Sequence, residues 1–197
     1  MIDGIRQIGL DVLPWDKESR AIVSRAEWLR KTRRASSLPD LSNAALTATL
    51  DVWLAPYLNG IRRIDQLQTL NLSGILRAQF SFDGWRNLER LAPSHLTLPS
   101  GTHAALDYSA EQPVLAVRLQ ELFGQTNTPT ICDGTINVLL HILSPARRPL
   151  AVTQDLGSFW KTVYPEIRSQ MRARYPKHPW PEDPLTAKPT NKTVSRR

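Results

Sequence analysis

One stretch says most about the fold of this chain: Arg172-Ala-Arg-Tyr-Pro-Lys-His-Pro-Trp-Pro-Glu-Asp-Pro184. Each proline removes a backbone donor and clashes with the preceding turn, so the segment cannot form a helix. Its aromatic content is too high for an ordinary solvated linker. We therefore predict an extended strap that pins Tyr175 and Trp180 onto a folded body and leaves Lys177 outside.

The composition is that of a globular chain with a substantial core. Its 197 residues are 41% hydrophobic and include six tryptophans, which suits one domain or two small ones. No apolar run is long enough to span a membrane, and the first residues lack a signal-peptide pattern. The one cysteine, Cys132, excludes an internal disulfide and any multi-cysteine metal site. A reducing cytoplasm is the expected compartment.

The charge is strongly positive and unevenly distributed. The formal net charge is +7, and the sequence pI is about 10.0. From Arg168 to Arg197 the chain carries eight Lys and Arg residues against two acidic ones. A second cluster is Arg30-Lys31-Thr32-Arg33-Arg34. Such patches attract phosphate backbones. Each also has a simple structural explanation: the first can be a solvated tail, and the second can lie at a helix C-terminus, where the helix dipole favours cations.

The first half of the chain has helical periodicity. We predict a helix capped by Asp16 that runs to about Arg34, and a second capped by Ser42 with its apolar stripe reaching Tyr57. Further short helical pieces begin near Asp65 and Asp83.

After Pro93 the pattern changes to short runs bounded by turns. The sequence predicts a hairpin whose two arms are Thr130–Cys132 and Ile136–Leu143. Between them lies Asp133-Gly134, a strong two-residue turn signal. Five or six such runs predict a small barrel, for which an OB-like barrel is the first candidate and an SH3-like barrel remains open.

A last helix is expected from Asp155 or Ser158 to about Arg174, with a kink or a broken first turn at Pro165. The sequence thus predicts an α+β fold: an N-terminal helical segment, a small OB-like β-barrel, and a C-terminal helix with a Pro-rich strap. The predicted bounds are 1–92, 93–155 and 156–184, followed by a disordered basic tail over 185–197.

Motifs for catalysis are missing from the sequence. There is no G-x-x-x-x-G-K-[ST] loop for phosphates, no acidic box for magnesium, no H-E-x-x-H and no paired Cys/His set. We therefore predict no catalytic residue and no metal ligand in this chain.

Several longer motifs carry a family resemblance. They are Leu13-Pro-Trp-Asp16, Leu91-Ala-Pro-Ser-His95, Leu98-Pro-Ser-Gly101, Leu106-Asp-Tyr-Ser109, Val114-Leu-Ala-Val-Arg-Leu-Gln-Glu-Leu-Phe-Gly124, Leu143-Ser-Pro-Ala-Arg-Arg-Pro149, Val152-Thr-Gln-Asp-Leu156 and Arg174-Tyr-Pro-Lys-His-Pro-Trp-Pro-Glu-Asp-Pro184. Together they resemble the C-terminal region of bacterial HrpB, an ATP-dependent helicase related to the DEAH-box enzymes. The resemblance covers essentially the whole chain.

The resemblance implies an order of domains. Full-length members of this family carry two RecA-like motor domains, then a winged helix, a helical bundle and an OB-like domain. This chain resembles part of the bundle, the barrel and the C-terminal extension. The resemblance therefore implies a helicase family, but ATP and Mg are expected only in the motor domains, and this chain alone should not hydrolyse ATP.

In related helicases the bundle and the OB-like domain close over single-stranded nucleic acid. This chain is then expected to be an accessory module that contacts single-stranded nucleic acid, with RNA as the first candidate. Cations and an aromatic platform would suit that role. The candidate residues are Arg147, Arg148, Lys161, Arg168, Arg172, Lys177 and Trp180.

Two other readings stay open. The module could brace helicase motor domains, in cis or in trans, or dock another protein. It could also be a remnant without an independent role. At the level of single residues, Arg147 and Arg148 could belong to a solvated turn, and Trp180 could be a packing anchor between two prolines.

Overall fold

The structure is a computed structural model that describes residues 1–32 and 38–192. The chain divides into two compact units, one formed by residues 1–92 and one that begins at Pro93. Arg33 and Arg34 of the second basic cluster, and the tail from residue 193 onward, lie outside the described residues.

The first unit is helical. Its helices are α1 (Ile2–Ile8), α2 (Lys17–Lys31), α3 (Asn43–Ala48), α4 (Leu50–Trp53), α5 (Leu72–Arg77) and α6 (Phe82–Leu91), with 3-10 turns at Leu10–Val12, Ala55–Tyr57 and Ile64–Thr69. The predicted caps of α2 and α3 are confirmed. The Asp16 carboxylate accepts a hydrogen bond from the Ser19 N–H at 2.7 Å, and the Ser42 hydroxyl accepts one from the Ala45 N–H at 3.3 Å.

Of the other helical predictions, one differs from the structure and one agrees with it. The second predicted helix is divided at Thr49, whose hydroxyl donates back to the Ala45 carbonyl at 2.7 Å and competes with the helical ladder. The helix predicted to begin near Asp83 is α6, which begins at Phe82 and is capped by Ser81, whose hydroxyl accepts from the Gly84 N–H at 3.0 Å.

A buried arginine ties α2 to α6. The Arg25 side chain is 4% exposed, and its Nε donates to the Ala92 carbonyl at 2.5 Å. Its guanidinium also pairs with Glu89 at 2.9 Å. Because a buried cation is costly unless its donors are satisfied, this pairing is what lets Arg25 sit beside the apolar core.

The second unit combines strands with two helices. Its elements are β1 (His95–Thr97), β2 (His103–Asp107), β3 (Val114–Arg118), a 3-10 turn (Leu119–Leu122), β4 (Thr130–Ile131), β5 (Ile136–Asn137), β6 (Leu139–Leu143), β7 (Pro149–Thr153), α7 (Leu156–Thr162) and α8 (Tyr164–Arg174). The mixed α and β composition of the chain confirms the predicted fold class.

The strands form an open sheet, so the closed OB-like barrel is not confirmed. The strand order is β1-β2-β3-β6-β7, with β3 and β6 parallel and the other pairs antiparallel. In the described part of the chain β1 and β7 lie at opposite edges, and no pairing joins them.

The predicted run from Ile136 to Leu143 explains part of this difference. It divides at Val138, whose N–H donates to the Pro129 carbonyl at 3.0 Å. The residues before Val138 pair with β4 as a separate two-stranded ribbon, whereas those after it form the centre of the larger sheet. The hairpin turn itself is confirmed, with left-handed backbone at Asp133 (φ 55°) and Gly134 (φ 83°).

The last predicted helix is interrupted near Pro165, as the sequence predicts. It divides at Val163 into α7 and α8, and the Asp155 carboxylate caps α7 by accepting from the Ser158 N–H at 2.9 Å. An aromatic cluster packs beside this break. Its members are Phe123, Phe159, Trp160 and Tyr164.

Residues 185–192 lie in the segment for which the sequence predicts disorder, yet they make hydrogen bonds. The Thr190 N–H donates to the Gln120 carbonyl at 2.9 Å, and the Asn191 amide donates to the Thr102 hydroxyl at 3.3 Å. Backbone bonds of this kind are invisible in composition, because any residue except proline can make them.

Candidate nucleic-acid interface

The Pro-rich strap lies along α8 and is fixed at several points. The Tyr164 hydroxyl donates to the Pro181 carbonyl at 2.7 Å, and the Arg168 Nε donates to the Trp180 carbonyl at 3.0 Å. The Arg168 guanidinium also pairs with Glu182 at 2.9 Å. Trp180 is buried and Lys177 is exposed, as the strap prediction required, whereas Tyr175, the other predicted anchor, is only half-buried.

Two of the seven predicted contact residues are therefore occupied within the fold. Arg168 holds the strap through the two interactions just described. Trp180 is 8% exposed, and its indole N–H donates to the Tyr175 carbonyl at 3.0 Å. A buried ring offers no face on which a base could stack, so Trp180 is a packing anchor in this structure.

Arg147 and Arg148 form the tip of the turn between β6 and β7, and both are exposed. Ser144 organises this turn. Its N–H donates to the Arg148 carbonyl, its carbonyl accepts from the Arg147 N–H (both 2.8 Å), and its hydroxyl accepts from the Arg148 N–H at 3.1 Å. Arg147 has left-handed backbone (φ 60°), which is strained for a residue with a Cβ. The two guanidiniums have no carboxylate partner among the described residues.

The other three predicted cations are also exposed. Lys161 lies on α7, Arg172 on α8 and Lys177 on the strap. None of the three forms an ion pair within the part of the chain that the structure describes. The break at Val163 separates Lys161 from Arg168 and Arg172, so the single continuous basic stripe expected from helical spacing is divided between two helices.

The surroundings of two titratable groups at the strap shift their pKa values. Burial raises the pKa of Tyr164 to about 12, against a smaller opposing effect of the Arg168 charge. Burial, followed by the nearby Arg118 charge, lowers the pKa of His178 below its usual 6.5. At neutral pH His178 is therefore uncharged and adds nothing to the positive surface.

Sequence reasoning missed a polar cleft of about 440 Å³ at the other end of β6 and β7. Its lining comes from the loop over 126–130, from Asn137 and from the start of α7. These residues are distant in sequence and are of types that also occur in ordinary turns. Only the folded arrangement brings them together.

Among residues 1–32 and 38–192 no group of three or more His, Cys, Asp or Glu side chains could hold a metal ion. The sequence also lacks a phosphate-binding loop. As to membranes, no helix in the described ranges is both long and apolar enough to cross one.

Comparisons with known proteins converge on one family. Residues 53–184 match HrpB_C, described as ATP-dependent helicase C-terminal. The ATP-dependent RNA helicase HrpB of Escherichia coli (strain K12) is 38% identical over 194 residues, which are 98% of this chain and 24% of that protein. The chain thus spans about a quarter of the length of this curated relative.

Solved structures agree with the sequence match. A crystal structure of the E. coli DExH-box NTPase HrpB superposes with a TM-score of 0.89 at 38% identity, covering 98% of this chain and 24% of that one. A crystal structure of the Escherichia coli DEAH/RHA helicase HrpB gives 0.75 at 36% identity, covering 91% and 23%. With two thirds of its residues inside the family match and its fold shared with these structures, the chain belongs to the C-terminal family of HrpB-type ATP-dependent helicases.

Proposed function

We propose that this chain is the part of an HrpB-type helicase that contacts single-stranded nucleic acid, and that the β6–β7 turn makes the principal phosphate contact. The observation that carries the proposal is the exposed Arg147–Arg148 pair, which is preorganised by Ser144 and has no carboxylate partner among the described residues.

The physics of this turn suits phosphate. A guanidinium presents its donors in a planar fork that matches phosphate oxygens, and it stays charged at any physiological pH. The strained backbone at Arg147 is an energetic cost that a merely solvated turn does not need, since glycine would remove it. The name of the E. coli relative includes RNA, which makes RNA the first ligand to test.

The test is fluorescence anisotropy with labelled single-stranded RNA and DNA at several salt concentrations. The variant is Arg147→Glu/Arg148→Glu, and its matched control is Arg62→Glu/Arg86→Glu, which changes the charge equally at exposed positions in the first unit. We expect the turn variant to lose at least tenfold in affinity and to show a shallower salt dependence, while the control loses much less. Equal affinities for the two variants would refute the proposed contact.

We propose further that ATP is bound and hydrolysed by motor domains, in cis or in trans, and not by this chain. The support is the absence of a phosphate-binding loop from its sequence. A phosphate-release assay with Mg-ATP and RNA should give no signal above a buffer blank. Turnover that persists through successive purification steps and co-elutes with the chain would contradict this.

A second candidate function is docking of a protein partner such as the motor domains. It is favoured by exposed apolar side chains on the first unit, of which Phe82 is 83% and Val52 73% exposed. If these two side chains are normally covered by a partner, the isolated chain should self-associate, and Val52→Ser/Phe82→Ser should abolish that association. A strictly monomeric wild-type chain in light scattering would count against docking through these side chains.

A further inference from the structure

The polar cleft beside α7 and the arginine turn lie at opposite ends of the paired strands β6 and β7, one strand length apart. The strand β6 runs from the cleft to the turn and β7 returns, with Leu140 opposite Thr153 near the cleft and Leu143 opposite Pro149 near the turn. Five extended residues span about 17 Å. The cleft is therefore a distinct place on the second unit and needs its own ligand chemistry.

The lining of the cleft is uncharged apart from one acid. Six of its eight lining residues carry a hydroxyl or an amide: Thr126, Asn127, Thr128, Thr130, Asn137 and Gln154. The only ionisable one is Asp155, whose carboxylate caps α7. With no cation among the eight and one carboxylate present, the lining disfavours phosphate itself. None of the eight is aromatic, so the cleft also lacks the stacking surface that nucleobases usually use.

Two amide side chains in the cleft have hydrogen-bonding capacity to spare. The Asn127 side chain has no partner among the described residues. The Asn137 amide donates only a long bond, 3.4 Å, to the Gln154 carbonyl, and its own carbonyl oxygen has no donor in the described structure. An amide both donates and accepts, which matches a hydroxyl group that does the same.

A cation stands one helical turn from the cleft. Gly157 lines the cleft, and Lys161 lies four residues further along α7, on the same face and about 6 Å along the axis. A neutral sugar in the cleft would therefore place its neighbouring phosphate within reach of Lys161.

We propose that this cleft binds a ribose of single-stranded RNA, with the 2′-hydroxyl hydrogen-bonded by Asn127 and Asn137 and the adjoining phosphate facing Lys161. The proposal rests on the proposed nucleic-acid function and specifies it further. The 2′-hydroxyl is the group by which a protein distinguishes RNA from DNA at a given site. The cleft therefore makes the chain prefer RNA, whereas the arginine turn binds both.

The experiment compares three labelled single strands of one sequence: RNA, DNA and 2′-O-methyl RNA. For the wild-type chain we expect RNA to bind roughly two- to tenfold tighter than the other two, the range of one or two net hydrogen bonds. In Asn127→Ala/Asn137→Ala we expect RNA affinity to fall to the DNA level, with DNA affinity and the salt slope unchanged. Asn59→Ala, an exposed asparagine of the first unit, is the control and should keep the preference.

Equal binding of RNA and DNA by the wild-type chain overturns the ribose proposal and leaves the arginine contact standing. So does an RNA preference that survives in the double variant. No binding to either strand at low salt overturns the proposed function and the ribose proposal together. If the double variant fails to fold, Asn127→Ala alone decides, because that side chain makes no bond within the described structure.

Discussion

Arg168 shows how a residue can look like a ligand contact and serve the fold. Its side chain is 24% exposed, and its donors are used by the Trp180 carbonyl and the Glu182 carboxylate. Arg172, one turn further along α8, is exposed and makes no such contacts among the described residues. Helical spacing places both residues on one helix face. It cannot show which of them the strap covers, because that depends on where the chain around Pro181 packs against α8.

Arg168→Ala should lower the free energy of unfolding by about 2 kcal/mol, because it removes a charge-assisted hydrogen bond and leaves the Trp180 carbonyl without its donor. Arg172→Ala is the matched control and should change stability by less than about 0.5 kcal/mol. Urea unfolding followed by tryptophan fluorescence measures both. Equal effects of the two substitutions would show that the strap does not depend on Arg168.

Tyr164 should make stability sensitive to alkaline pH. Its pKa is raised to about 12 in the folded state, above the usual value of 10.0, so folding favours the neutral phenol. The stabilisation is complete below pH 10 and is lost as the pH rises through about 12. Relative to Tyr164→Phe, the wild-type chain should lose on the order of 2 kcal/mol over this interval. Parallel pH profiles for the two proteins would contradict the shift.

The β6–β7 turn allows stability and binding to be separated. Because Arg147 has φ 60°, Arg147→Gly should relieve backbone strain. The free energy of unfolding should rise by about 1 kcal/mol at most, and the melting temperature should rise slightly. The same substitution removes a phosphate contact and should weaken RNA binding severalfold. Calorimetry and anisotropy on one protein sample test both. A stable variant with unchanged RNA affinity would reduce the proposed contact to Arg148.

Local signals and long-range pairing were predictable to different degrees. The caps at Asp16, Ser42 and Asp155 follow from interactions within three residues, so the sequence predicts them well. The change of partner at Val138 depends on residues far away in sequence, namely Pro129 for its own N–H and Pro113 for that of Leu139. Alternation of apolar residues carries no such information, which is why the barrel was expected and an open sheet is found.

At the scale of the whole molecule, each compact unit has its own buried core. Leu29, Leu50 and Leu76 are fully buried in the first, and Leu115, Leu122 and Ile142 in the second. The cations of the candidate interface were recognisable from composition. The cleft was not, since its residues come from three separate parts of the sequence.

A fragment of residues 93–192 should fold without the first unit. We expect a single cooperative urea transition and retained near-ultraviolet circular dichroism from its tryptophans, because about 100 residues with a continuous core suffice for a domain. The fragment should also keep its RNA affinity if both proposed contacts are correct. A fragment without a cooperative transition would show that the second unit depends on residues 1–92.

The strap has a consequence for how the protein is made. The strap covers α8 next to an aromatic cluster whose members all precede the strap in the chain. Its anchors, Trp180 and Glu182, emerge from the ribosome after every helix and strand that they help to hold. The second unit therefore cannot complete its packing during most of its own synthesis. A chain released early, before Trp180, would carry partly uncovered aromatic rings, the kind of surface that chaperones and proteases recognise.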